Sequence, residues 1–255
     1  MDFVRYEHRA AVATITLATS ALGNALDPEA VARLDHCIQS ADADPDCRAV
    51  VIASEGPKFC TGMDLSAAAG IDTAASLRGA GTFAAALLRI CESSKPFIAQ
   101  VEGDADAGGL GIVAACDIVI AAQGIHMALS EAIVGMAPFI VSPFLLRRMT
   151  HGAFGALALS TRPLTAEEAH SRGLVDEICD PAGAKALQRQ LDRLLHCSPS
   201  SLARSKRLAC PSDLRAQVEK AVRDFGEWME QPDLQTALRD FSKGLAPAWF
   251  QKYKG

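Results

Sequence analysis

The sequence predicts an α/β fold in which short buried strands alternate with helices, followed by a helical C-terminal part. Three apolar runs, 48–53, 97–101 and 118–121, are typical of strands that are buried on both faces of a parallel sheet. From Pro143 onward the spacing of the apolar residues becomes almost wholly helical. We therefore expect β/α units up to a boundary near residue 197 and helices beyond it.

Composition disfavours several classes of protein. The 255 residues are 49% hydrophobic and 22% charged, as in a globular domain rather than a disordered or fibrous chain. The net charge of -5 and the aromatic content of 5% disfavour a nucleic-acid-binding surface. No run of about 18 uncharged apolar residues occurs, so we expect no membrane-spanning helix. The apolar stretch 10–22 follows acidic residues and alternates with threonine, which favours a strand over a signal peptide.

The eight cysteines are scattered through apolar or helix-like segments, and no two have the C-x-x-C spacing. This pattern predicts buried thiols in a reducing cytoplasm rather than a disulfide framework or a zinc site. The zinc-protease, nucleophile-elbow and phosphate-loop motifs are also missing from the sequence. We therefore expect neither a metal nor a cofactor.

Capping residues locate several helices. Asp27 followed by Pro28 predicts a helix that runs to about residue 41, and Thr165 with Glu168 forms a capping box for a helix that Gly173 ends. The segment 66–81 is rich in alanine and glycine, and we expect it to be mobile. Further elements are predicted from periodicity: a strand over 11–17, a glycine-rich turn over 103–111, and helices over 82–91, 112–116, 182–196, 199–208 and 214–230.

The glycines before residue 112 admit two uses. The run 109–114 fits the dinucleotide-binding pattern G-x-G-x-x-A, but the helix that follows is too short for that fold. Alternatively, the free N–H groups at a helix start near Gly108 and at the turn Gly62-Met63 could point at one oxygen and form an oxyanion hole. Spacing alone does not distinguish an oxyanion hole from two tight turns.

Three segments together resemble the crotonase (enoyl-CoA hydratase/isomerase) superfamily. They are Gly23-Asn24-Ala25-Leu26, the run FCTGMDL at 59–65, and the stretch 95–118 with its Gly108-Gly109 pair; LTAEEAHSRGLVD at 164–176 fits the same family. The resemblance implies a ClpP-like spiral of ββα turns over residues 1–197. It also implies a helical region over 198–255 that serves oligomerisation and covers the active site, and a homotrimer or hexamer.

The resemblance further implies a thioester substrate on a pantetheine arm, whose oxygen is held by the N–H groups of Met63 and Gly108 while an enolate forms. Typical hydratases of the family carry two catalytic glutamates. Here Gly111 stands in place of the first glutamate and Glu131 in place of the second, so addition of water by two carboxylates is not expected. Asp64 is also explained as a helix cap. Contacts with substrate are implied for Ala25, Thr61, Gly62, Asp64, Leu65 and Gly109.

A narrower resemblance rests on the runs 107–111, 129–131, 135–138 and 142–148. They are similar to the dehydratases of bacterial polyketide β-branching cassettes, which also have glycine in the first position. This implies dehydration of 3-hydroxy-3-methylglutaryl-ACP to 3-methylglutaconyl-ACP, with an acyl carrier protein as the partner and Glu131 as base and then acid.

Three other activities stay open from the sequence. They are the decarboxylase of the same cassette, a hydratase or isomerase acting on CoA esters, and a non-catalytic or RNA-binding relative. The distal carboxylate of the proposed substrate needs a cation, for which Arg78, Arg89 and Lys95 are candidates. The cluster Arg204, Lys206 and Arg207 either meets an acidic carrier protein or forms a solvated helix face.

Overall fold

The computed structural model describes residues 3–63, 73–180 and 183–252. Its strands form two sheets, which confirms the α/β class. The larger sheet has the order β1-β2-β3-β5-β7-β10 and the smaller one β4-β6-β8-β9. The strands, in chain order, are β1 Val4–Arg9, β2 Val12–Leu17, β3 Ala49–Ser54, β4 Lys58–Cys60, β5 Phe97–Val101, β6 Asp104–Asp106, β7 Ile118–Ala122, β8 His126–Ala128, β9 Leu164–Thr165 and β10 Glu177–Cys179.

Helices connect these strands and dominate the C-terminal part. The α-helices of the described residues are α1 Pro28–Ala43, α2 Thr73–Glu92, α3 Gly108–Ala115, α4 Ser142–Arg148, α5 His151–Ser160, α6 Ala166–Ser171, α7 Ala184–Leu195, α8 Pro199–Ala209, α9 Leu214–Met229 and α10 Pro232–Ser242. Two short 3₁₀ helices span Ser20–Leu22 and Glu131–Val134. None of the described helices is long and apolar enough to cross a membrane.

The central strands follow the expected pattern. β3, β5 and β7 pair in parallel, and their apolar side chains are buried on both faces. The first strand, β1, pairs antiparallel with β2 at the edge of the sheet. Its charged alternation hid it from sequence reasoning, because an edge strand needs few apolar residues. The connection between them turns at Ala10, whose φ is 51°.

Capping chemistry predicted the helix starts well. The Asp27 carboxylate accepts the Ala30 N–H at 2.7 Å, and the capping box of Thr165 with Glu168 is present in both directions. Gly173 follows the end of α6 with a φ of 83°, as the predicted helix stop requires.

Two helix boundaries were predicted wrongly. Helix α2 begins at Thr73 rather than near residue 82, because alanine is the best helix former and α2 packs on α1 and α9. The rest of the segment expected to be mobile, residues 66–72, lies outside the described part of the chain. Helix α3 begins at Gly108, not at residue 112, and residues 104–106 of the expected turn form β6. Since residues 109–115 are all buried, α3 shows no amphipathic period that would locate its start.

Lys206 is a buried structural residue, which corrects its candidate role in carrier binding. Its side chain is 7% exposed and its Nζ lies 2.7 Å from Asp117 Oδ2. The same ammonium donates to the carbonyls of Ile90 and Lys95 at 2.7 Å each. A lysine with three such partners ties α8 to the sheet and offers no charge to a partner surface.

Candidate active site

A cavity of about 290 Å³ brings together the main residues singled out by the sequence. Thr61, Met63, Gly108 and Glu131 all line it. Its walls come from the start of α1, from α2, from the segment 130–141, and from the C-terminal helices α9 and α10. Residues far apart in the sequence therefore meet at one apolar space, as in most small-molecule sites.

The backbones of Gly62 and Gly108 are in direct contact at the cavity. A side chain on Gly62 would place its Cβ 2.8 Å from the Gly108 nitrogen, and Gly62 has a φ of 82°. Leu26 bridges this turn by donating its N–H to the Gly62 carbonyl at 2.8 Å. Among hydrogen bonds between described residues, neither the Met63 nor the Gly108 N–H has an acceptor. Two amides without an acceptor in the described part of the chain thus belong to residues that line one cavity, which an oxyanion hole requires.

Strained backbone sets the direction of the Gly108 amide. Ala107, which precedes α3, has φ 47° and ψ -114°, a conformation that a residue with a Cβ rarely adopts. Its own N–H donates to the Ala128 carbonyl at 2.9 Å and so ties it to β8. A side chain on the next glycine, Gly109, would come within 2.5 Å of the Cys60 carbonyl. Only glycine at 109 therefore lets α3 start against β4.

The predicted substrate contacts divide into three groups. Thr61 lines the cavity, whereas Ala25, Gly62 and Gly109 are absent from its lining. Gly62 and Gly109 pack directly against the backbone that carries the amides. Asp64 and Leu65 lie outside the described residues, so their contacts stay predictions.

Asn24 is a residue whose role the sequence motif did not reveal. Its side chain is buried, its φ is 53°, and its Nδ2 donates to the carbonyls of Glu55 and Lys58 at 2.9 and 2.8 Å. These bonds fix the loop that carries Ala25 and Leu26 onto the strand region before Thr61. Asparagine suits this position because it tolerates the left-handed conformation.

Glu131 opens the 3₁₀ turn 131–134, which Gly135 ends with a φ of 81°. Its Oε2 is buried and has no hydrogen-bond partner among the described residues. Burial raises the pKa of Glu131 from 4.5 to about 7; a backbone hydrogen bond opposes the shift and the charge of Asp106 adds to it. A carboxyl group with a pKa near neutrality is suited both to take a proton and to return it.

The position of the missing first glutamate is filled by hydrocarbon. A Cβ on Gly111 would lie 2.6 Å from Val141 Cγ1 and 3.1 Å from Leu87 Cδ1. The other acidic residue of the described lining, Asp27, is engaged as the cap of α1. Within the described wall, Glu131 is thus the acid available to a substrate.

Four phenylalanines give the cavity its apolar character, and sequence reasoning missed all of them. They come from helices and loops with no local signal, since an amphipathic pattern does not say which neighbour a side chain meets. The described lining contains no lysine, arginine or histidine. The aromatic wall residues are Phe83, Phe139, Phe225 and Phe241.

The three candidate cations for a distal carboxylate do not line this described wall. Arg89 lies 3.2 Å from the Asp35 carboxylate, and Lys95 donates to the carbonyls of Ala41 and Asp44. Arg78 is exposed on α2. Within the described residues there is also no cluster of His, Cys, Asp or Glu that could hold a metal ion.

Two backbone amides and a buried acid thus adjoin one apolar cavity on a fold of parallel strands and helices, which is the kind of site expected of an enzyme. The chain belongs to the enoyl-CoA hydratase/isomerase family, whose model matches residues 7–252. It is therefore a member of the crotonase superfamily and an enzyme of the hydro-lyase type.

Relatives with known names agree with this assignment. The chain is 30% identical over 247 residues to the (E)-benzylidenesuccinyl-CoA hydratase of Thauera aromatica, covering 93% of this chain and 95% of the relative. It is 37% identical over 124 residues to the bacillaene synthase dehydratase PksH of Bacillus subtilis, covering 49% and 47%. The crystal structure of an enoyl-CoA hydratase from Mycobacterium avium superposes with a TM-score of 0.85 at 29% identity, covering 97% and 99%.

Proposed function

We propose that the protein dehydrates a β-hydroxyacyl thioester, and that its substrate is 3-hydroxy-3-methylglutaryl held on an acyl carrier protein. The observation that carries this proposal is the buried carboxyl group of Glu131, on the same cavity as the amides of Met63 and Gly108. Among the described residues, neither its Oε2 nor these two amides have a hydrogen-bond partner. Such a set supplies a base and an oxyanion hole without a second acid.

The reaction proceeds in two steps. The Glu131 carboxylate takes the proton from the carbon next to the thioester, and the electron pair moves onto the carbonyl oxygen, where the two amides stabilise the enolate. The enolate then collapses, the bond from the β carbon to its hydroxyl breaks, and the double bond forms. Glu131 returns its proton to the departing hydroxyl, which leaves as water. The enzyme ends the cycle with its carboxylate restored.

The single-acid site supports elimination in particular. Because Val141 and Leu87 fill the space beside Gly111, a second carboxylate at that position has no room. Loss of a hydroxyl from a tertiary carbon makes smaller demands on a second acid. The match to the PksH dehydratase, although it spans only half of each chain, supports a carrier-bound substrate of this kind.

Replacing Glu131 tests the mechanism directly. Glu131→Gln removes the base, so we expect formation of 3-methylglutaconyl carrier protein, followed by intact mass, to fall by about 10²–10⁴-fold. The matched control is Glu167→Gln, the same change at an exposed position of α6, which should turn over normally. Unchanged turnover by the Glu131 variant would refute the assignment.

The cavity wall favours one alternative, a hydratase or isomerase that acts on an uncharged acyl-CoA. The described lining has four phenylalanines and no lysine or arginine, so the distal carboxylate of a methylglutaryl group finds no cation there. A comparison of kcat/KM for the carrier-bound substrate and for an apolar β-hydroxyacyl-CoA separates the two. Preference for the apolar CoA ester establishes the alternative, and loss of carbon dioxide instead of water indicates the decarboxylase.

A further inference from the structure

We propose that Trp228 is a positioning residue that holds the Glu131 turn in place from the C-terminal helix α9. This inference rests on the proposed role of Glu131. The chain has only two tryptophans, Trp228 and Trp249, and both contact the same glycine, Gly135, which ends that turn. Gly135 has a positive φ, and contact with two large side chains indicates that the conformation of this segment is constrained.

The contacts at Gly135 are directional. Trp228 Nε1–H donates to the Gly135 carbonyl at 2.9 Å. The Trp249 ring covers the glycine so closely that a Cβ there would lie 2.7 Å from Cη2. On the chain side, the Gly135 N–H bonds the Ala132 carbonyl at 3.2 Å and the Met136 N–H bonds the Glu131 carbonyl at 2.9 Å. Trp228 therefore holds the carbonyl of the residue that closes the turn begun by Glu131.

Helix α9 connects this brace to the acyl cavity. Phe225, one turn before Trp228, lines the cavity, and so does Phe139, whose ring centroid lies 6.2 Å from that of Trp228. An acyl group that fills the cavity therefore contacts residues that pack on or lie beside Trp228. Helix α9 therefore contributes both a residue of the cavity wall and a contact with the turn that begins at Glu131.

Exposure distinguishes this role from a simple contribution to the core. Trp228 is 42% and Trp249 43% exposed, so neither ring is held in place mainly by burial, which dominates the energetics of core aromatics. The directional hydrogen bond from Trp228 to the Gly135 carbonyl is likewise exposed rather than part of the core. Loss of that bond should consequently affect the Glu131 turn more than it affects the fold.

The test is Trp228→Phe, which removes the N–H donor and keeps an aromatic ring against Phe139. We expect kcat to fall about tenfold with KM within about twofold, the effect of one lost hydrogen bond on the reacting geometry. The acid limb of the kcat profile should move to lower pH, because a looser turn admits water to the Glu131 carboxyl. Amide exchange in residues 131–136 should accelerate in the free protein.

Two further variants serve as controls. Leu194→Ala lies in a separate hydrophobic cluster with Ala49, Ile98 and Ile120, and should lower the Tm without changing kcat or the acid limb. Trp249→Phe keeps the hydrogen bond from Trp228 and should keep the acid limb. The proposal is overturned if Trp228→Phe retains wild-type kcat, pH profile and exchange, or if Leu194→Ala reproduces its changes. Wild-type turnover by Glu131→Gln would instead refute the proposed function, while the exchange measurement would still decide whether Trp228 braces the turn.

Discussion

The Glu131 carboxyl group binds its proton more tightly in the folded protein than in the unfolded chain, because burial raises its pKa to about 7 from 4.5. Between these two values the folded state carries more protons than the unfolded state. The free energy of unfolding therefore falls as the pH rises through this interval and stays reduced above it. Wild-type Glu131 destabilises the fold at the pH where the proposed mechanism needs its ionised form as a base.

Glu131→Gln should accordingly stabilise the protein in a pH-dependent way. We expect the variant to gain about 3 kcal/mol more, relative to wild type, at about pH 8 than at about pH 4, since glutamine carries no charge to bury. Urea denaturation at the two pH values measures the difference. The exposed Glu167→Gln control should show no such dependence, and a gain for Glu131→Gln that is equal at both pH values would contradict the prediction.

At the scale of elements, α3 depends on small residues at its start and its middle. Gly109 packs on the Cys60 carbonyl and Gly111 on Val141. These contacts bring the helix close to β4 and to Val141, the residue that precedes α4. They also keep the Gly108 amide at the cavity. A buried helix packed so closely has little room for an added methyl group.

Gly111→Ala tests this close packing. Alanine normally stabilises a helix interior relative to glycine by about 0.5–1 kcal/mol, but the overlap with Val141 and Leu87 should reverse the sign and cost about 1–3 kcal/mol. The control is Gly81→Ala in α2, where nothing lies within 4 Å of the new Cβ and the helix gain should appear. Chemical denaturation measures the free energy of unfolding of both variants. Stabilisation by Gly111→Ala would contradict the prediction and show that Val141 and Leu87 shift to accommodate the methyl group.

Elements with a local chemical signal were predictable from the sequence, and elements defined by their surroundings were not. Asp27 and Thr165 fix helix starts by accepting hydrogen bonds from backbone N–H groups three residues further on. The signal is therefore local in the sequence. The edge strand β1 and the buried helix α3 have no such signal, because the first is stabilised by pairing with β2 and the second is apolar on every side.

The same division holds at the site. The family motifs bring Met63, Gly108 and Glu131 to one cavity, since short loops at the ends of neighbouring strands converge there. Two of the four wall phenylalanines, Phe225 and Phe241, and the Trp228 contact with Gly135 come from α9 and α10, far along the chain from these motifs. Tertiary packing alone creates these contacts, so the pattern of a single sequence does not predict them.

For the whole molecule, assembly into a trimer or a hexamer stays a prediction from the family resemblance. The single chain exposes several large apolar side chains, among them Leu22, Leu159 and Leu208, which are 67%, 87% and 88% exposed. Where such side chains lie together in one patch, another copy of the chain often covers them. Sedimentation at micromolar concentration should give three or six times the mass of 26.9 kDa; the mass of one chain would contradict the prediction.

The left-handed backbone of Ala107, just before α3, links the stability of the fold to the geometry of the site. Ala107 holds an unfavourable φ of 47°, and the surrounding structure keeps the adjacent Gly108 amide in one direction. In the proposed mechanism, this amide then needs little rearrangement as negative charge develops on the substrate oxygen. The strain at Ala107 therefore lowers the stability of the fold, and in return the Gly108 amide keeps a fixed direction.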